Sequence, residues 1–73
     1  MHGATAVAER NLTPRELDVL KGIVGGLKYA EIGARLGIAY DTVKTVTNRI
    51  RAKTGAANKA QLAVWAVEHG VKP

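Results

Sequence analysis

Between Asp41 and Lys53 the chain reads DTVKTVTNRIRAK, and the side chains able to do chemistry there are hydrogen-bond donors and cations rather than nucleophiles. Wound as a helix at 100° per residue, Val46, Thr47, Ile50 and Thr54 fall within about 60° of Val43 and form a narrow seam suited to a core. The opposite arc carries Asp41, Lys44, Thr45, Asn48 and Ala52, with Arg49, Arg51 and Lys53 on its flanks. A helix with a buried seam, an outer face of Lys, Thr and Asn, and Arg beside it has the chemistry to enter a major groove. There it would read base edges and neutralise phosphates.

The charge of the whole chain is placed to match. The net charge is +5 over 73 residues. Lys28, Arg35, Lys44, Arg49, Arg51, Lys53 and Lys59 oppose only Glu31 and Asp41 in the segment from Lys28 to Lys59, and acids balance bases in the remainder. The excess therefore lies in one stretch, as an anionic partner requires, although a solvated face would carry charge too. There is no Cys, which excludes a disulfide framework, a zinc finger and thiol catalysis. His2 has no second ligand at metal spacing and His69 reads as a favourable helix-end residue, so no metal is expected. Neither a Ser/His/Asp grouping, nor paired carboxylates on a pocket-forming element, nor a phosphate-binding Gly loop is present, so neither enzymatic chemistry nor a cofactor is expected. No apolar run approaches the roughly 20 residues that span a bilayer, and the N-terminus lacks a charged region followed by an apolar one. A soluble, cytoplasmic chain without membrane contact is the expectation.

The elements that must position the reading stretch follow from caps and periodicity. Residues 1–11, MHGATAVAERN, show no sustained period and read as a flexible arm preceding a domain over 12–73. Thr13-Pro14-Arg15-Glu16 is a helix start: Thr13 caps, Pro14 suits the first helical position, and Glu16 stands where a capping box needs it. Leu12 and Leu17 have the spacing of a hydrophobic staple, and Leu17, Leu20, Val24 and Leu27 repeat at helical intervals. The spacing predicts helices at about 14–24, 29–36, 40–54 and 59–70, with Gly25-Gly26 closing the first. The fold class is all-α.

The second and third of these helices are spaced as a helix-turn-helix. Gly37 supplies the turn, Gly33 four positions earlier is small enough for the helices to cross closely, and Ile32, Leu36, Ile38, Val43 and Val46 are apolar where the crossing must be buried.

At this point the sequence resembles a known family. From residue 12 to residue 70 it looks like the C-terminal DNA-binding domain of LuxR-type transcriptional regulators. The residues that carry the resemblance are Leu12-Thr13-Pro14-Arg15-Glu16 with Val19-Leu20, the Gly26-Leu27 turn, Glu31-Ile32, Leu36-Gly37-Ile38, Thr42-Val43-Lys44, Asn48, Ile50, Lys53 and Gly55. The resemblance implies a four-helix module whose third helix enters the major groove of double-stranded DNA and whose fourth makes a two-fold homodimer. It implies base contacts from Lys44, Thr45 and Asn48, with Asp41 nearby. Their donors suit those roles: Lys44 for guanine, Asn48 for adenine, the Thr45 methyl for thymine, and Asp41 to read cytosine or to reject wrong sequences. Phosphate contacts are expected from Lys28, Tyr29, Arg49, Arg51, Lys53 and Lys59, Tyr29 having a second reading as a half-buried packing residue.

This chain departs from the family's pattern where Ala39 replaces a capping Ser or Thr, where Val46 replaces a frequent His, and where Lys28-Tyr29 replaces a small polar pair. The missing cap oxygen is worth about 1 kcal/mol, with Asp41 offsetting part of it through the helix dipole. Asn58 and Gln61 cap the last helix, which has two apolar stripes: Leu62, Trp65 and Ala66, and, roughly 160° away, Ala60, Val64, Val67 and Val71. A monomer buries only one, and Ala60, Val64, Val67 and Val71 are assigned to the dimer contact. The expectation is a free-standing bacterial or phage regulator, without a sensor or receiver domain. The competing class is a small basic helical adaptor that binds a protein such as RNA polymerase, in the manner of sigma region 4.

Overall fold

The computed structural model describes residues 12–73, so the arm expected over 1–11, with His2 and Arg10, lies outside the described residues. Four helices follow one another: α1, Pro14–Val24; α2, Tyr29–Leu36; α3, Tyr40–Thr54; and α4, Lys59–Glu68. No strand occurs among the described residues. The fold is all-α.

α1 packs against each of the other three helices, as α3 does. It starts as its residues require: the Thr13 hydroxyl accepts the Glu16 N–H at 3.1 Å, and the Glu16 carboxylate accepts the Thr13 N–H at 2.9 Å, a complete capping box. Leu12, Val19, Leu20 and Ile23 then bury against Ile32 of α2, Val43, Val46 and Ile50 of α3, and Leu62 and Ala66 of α4. Each such aliphatic side chain removed from water contributes about 1.5–3 kcal/mol, which holds four short helices together that would be marginal alone.

The α2–α3 pair has the geometry of a helix-turn-helix. Gly37 sits at φ 69°, in the left-handed region that closes a helix, and the Ile38 N–H returns to the Gly33 carbonyl at 3.0 Å. A Cβ on Gly33 would stand 2.7 Å from the Ile38 carbonyl oxygen, so the close crossing needs the absence of a side chain there. The seam of α3 is buried through Val43, Val46, Thr47 and Ile50, and the Thr47 hydroxyl donates to the Val43 carbonyl at 2.8 Å rather than remaining unpaired.

Two departures from the sequence expectation concern the last helix. It ends at Glu68 rather than at residue 70, because Gly70 adopts φ 78° and reverses the chain. The Val71 N–H then donates to the Ala66 carbonyl at 2.8 Å and the Gly70 N–H to the Val67 carbonyl at 3.1 Å, a Schellman closure. Such a closure brings the residue after the glycine back onto the last turn, and Val71 is buried in the monomer's own core. The assignment of Val71 to a dimer contact is corrected accordingly.

α3 begins without a side-chain cap, since Ala39 offers no oxygen. Ala39→Ser should raise the unfolding free energy by about 1 kcal/mol, read as a higher urea midpoint at an unchanged slope.

Candidate nucleic-acid interface

The buried seam of α3 determines which of its residues face outward. Asp41, Lys44, Thr45, Asn48 and Ala52 are exposed along one side of the helix. They present an ammonium, a hydroxyl with its methyl, an amide and a carboxylate within three turns. Arg49 stands on the flank with 55% of its side chain exposed. The Asn48 Oδ1 accepts from Arg51 Nη1 at 3.2 Å, which orients the amide and leaves both its N–H groups and a second oxygen lone pair unengaged by that bond.

The cations expected at phosphates differ in their partners. Lys28 and Arg49 are exposed, Arg49 with its Nε 4.0 Å from Glu16 Oε2. Arg51, Lys53 and Lys59 have partners within the molecule, Lys53 being exposed all the same. The Arg51 guanidinium reaches past the end of α3, donating to the carbonyls of Ala56 and Ala57 in the loop before α4. Lys53 Nζ lies 2.7 Å from Glu16 Oε1. Lys59 donates to the Leu27 carbonyl at 3.1 Å and holds its ammonium 4.6 Å from the centre of the Tyr29 ring. Tyr29 itself is half-buried and packs against the core, the second of the two roles read for it.

Two residues that matter here were not singled out by sequence reasoning. Glu16 was read only as a capping residue, yet its side chain has no solvent exposure. Its Oε1 accepts from both Thr13 and Lys53; its Oε2 is buried without a hydrogen-bond partner, and Arg49 Nε is 4.0 Å away. Burial pushes this carboxyl up, but Lys53, the Thr13 N–H and the charge of Arg49 outweigh that effect and hold it below the ordinary glutamate range. The second residue is Tyr40, at the first position of α3 and 52% exposed. Its ring centre is 6.2 Å from that of Tyr29, and Lys44 Nζ is 5.7 Å from its own. The four-residue spacing of Tyr40 and Lys44 was the available signal.

Ala60, Val64 and Val67 of the stripe assigned to a dimer are exposed on α4, Val64 by 57% and Val67 by 64%, while Leu62 and Ala66 are buried. Trp65 is half-buried and stacks on His69 with ring centres 4.1 Å apart. No group of three His, Cys, Asp or Glu side chains able to hold a metal ion occurs among the described residues. No described helix is long and apolar enough to cross a membrane.

Comparison with known families gives a match over residues 10–66 to the family described as bacterial regulatory proteins, luxR family. The chain belongs to that family. Its four helices are a LuxR-type DNA-binding domain of the kind used in transcription regulation. Among relatives, it is 40% identical over 60 residues to the transcriptional regulatory protein MctR of Rhizobium johnstonii, covering 82% of this chain and 28% of that protein. It is 39% identical over 64 residues to the transcriptional regulatory protein LiaR of Bacillus subtilis, covering 88% of this chain and 30% of that one. The response regulator Rre1 of a Synechocystis strain is 31% identical over 71 residues, 97% of this chain and 31% of the relative. The LuxR-type chain thus spans about three-tenths of the length of these relatives. No solved structure matches it significantly.

The Glu16 carboxylate ties the start of α1 to the end of α3, and its protonation is linked to folding. Because its folded-state value lies below the 4.5 of an unperturbed glutamate, this contribution is complete above about pH 4.5 and is lost as the pH falls through the folded-state value. Urea denaturation between pH 7 and pH 3 should show that loss. Glu16→Gln should destabilise the protein by about 1–3 kcal/mol at pH 7 and flatten the acid limb of the profile.

Proposed function

We propose that this LuxR-type chain is a sequence-specific double-stranded DNA-binding regulator that works as a homodimer, each copy placing α3 in a major groove. The observation that carries this reading is the two-sidedness of α3. Val43, Val46, Thr47 and Ile50 lock the helix into the core, while Lys44, Thr45, Asn48 and Asp41 face outward together. Lys44 donates to guanine O6 or N7, the oriented Asn48 amide pairs with adenine, the Thr45 methyl meets a thymine methyl, and Asp41 accepts from cytosine or repels wrong sequences. Lys28 and Arg49 hold the backbone on either side, contributing affinity more than preference.

The homodimer is supported by α4. Val64 and Val67 are among the few large apolar side chains left exposed in the described residues, and Ala60 extends the same face. A second copy related by a two-fold axis would cover both patches and set two reading helices about 34 Å apart, one turn of the duplex.

Selection of bound sequences from a random duplex pool tests the reading, followed by titration of the winner against random DNA at several salt concentrations. A two-fold-symmetric consensus with a large specificity ratio is expected; binding without enrichment would remove the sequence-specific reading. Lys44→Ala should weaken binding to the consensus by about 1–3 kcal/mol and relax preference at a single base position, with random DNA bound nearly as before. Replacing Val64 and Val67 together by Asp should leave a folded monomer in sedimentation experiments, and an unchanged profile would move the contact elsewhere.

A further inference from the structure

The start of α3 carries an arrangement that the proposed reading does not use. Lys59 on α4 lies over the Tyr29 ring, Tyr29 packs at a tilt of 55° against Tyr40, and Lys44 holds its ammonium over Tyr40. The four side chains form a ladder that runs from a fixed point to the outer face of α3. The fixed point is Lys59, whose ammonium is also bonded to the Leu27 carbonyl. The far end is Lys44.

The geometry of a helix explains why Lys44 meets this ladder. Side chains on a helix lean toward its N-terminus, so a residue lies over the one four positions before it. The Lys44 stem therefore runs over Tyr40, and a cation within about 6 Å of a ring centre is attracted to the ring face. A lysine is otherwise a flexible four-carbon stem with a rotatable point charge, poorly suited to distinguish one base edge from its neighbour. Tyr40 is in turn held by Tyr29. α3 has no side-chain cap at Ala39, so this aromatic contact anchors its first turn where a hydrogen bond normally would.

We infer that Tyr40 is a positioning residue for base recognition: its ring, buttressed by Tyr29 and Lys59, fixes the direction of the Lys44 ammonium and so sharpens the base preference that Lys44 confers. This rests on the reading of Lys44 as a base contact. The ring face does the work, and the phenol hydroxyl is not required.

The test uses the full chain with Tyr40→Leu, Tyr40→Phe, Lys44→Ala and the double variant Tyr40→Leu with Ala39→Ser. Preference is measured at the base pair where Lys44→Ala relaxes selectivity. Tyr40→Leu should lower it about two- to fivefold, the size expected of an exposed cation–π contact, with random-DNA affinity unchanged. Tyr40→Phe should keep it. Adding Ala39→Ser should raise the melting temperature of the Leu variant without restoring preference. In the free protein, the Lys44 methylene protons should be shifted upfield by the ring current in the wild type and in Tyr40→Phe, and not in Tyr40→Leu.

Full preference in Tyr40→Leu, or its return with Ala39→Ser, would overturn the inference, the second by showing that Tyr40 serves only to stop the helix end from fraying. Equal losses in the Phe and Leu variants would overturn it by moving the role to the hydroxyl. If Lys44→Ala relaxes no base position, the reading of Lys44 fails and the inference falls with it; if Lys44 matters and Tyr40→Leu does not, the inference alone falls.

Discussion

A carboxylate without solvent exposure is the constraint around which this small domain is arranged. Removing a charged group from water costs several kcal/mol, and it survives only where donors and opposite charge replace the lost solvation. Glu16 obtains them from two directions: the Thr13 N–H on its own helix and the ammonium of Lys53 from the last turn of α3. The same oxygen thus completes the start of one helix and fixes the end of another. A surface ion pair between long flexible side chains would contribute little, but this one is half enclosed and its acid is immobilised by the capping box. The consequence for function is one of orientation. α1 contacts every other helix, so pinning α3 to its first turn sets the attitude of the outward face relative to the whole body.

That arrangement also redistributes the positive charge. A net charge of +5 concentrated near α3 suggests a broad cationic footprint. Within it, Arg51, Lys53 and Lys59 have carbonyl, carboxylate and aromatic partners inside the molecule. Their charge still contributes to the field that draws a polyanion in, since potential depends on position and not on whether a donor is occupied. Lys28, Lys44 and Arg49 are exposed, and in the proposed reading they supply individual contacts.

Patterns that depend on neighbours in sequence were legible before the structure. The Thr13–Glu16 box, the Gly33 and Gly37 spacing, and the Val43, Val46, Thr47 and Ile50 seam all express helical geometry over a few residues, and each is realised. What was not legible depends on partners distant in the chain. Lys53 and Glu16 are 37 residues apart and Lys59 and Leu27 are 32 apart, so periodicity could not show that these lysines have partners within the molecule. Val71 fell on an apolar stripe only while the last helix was continued past Gly70. Once that glycine turns the chain back, helical angles no longer say where Val71 points. For Tyr40 the four-residue spacing to Lys44 was a local signal, but the packing of its ring on Tyr29, from another helix, was not.

The bond between Arg51 and Asn48 couples the outer face of α3 to the loop that follows it. Arg51 grips Asn48 with one nitrogen and the Ala56–Ala57 loop with the others. Exchanging residue 48 removes one partner of the side chain that also holds the loop leading into α4, so the outer face of the helix and the course of the chain beyond it share a single guanidinium. Lys44 is tied the other way, back to Tyr40 at the start of the same helix.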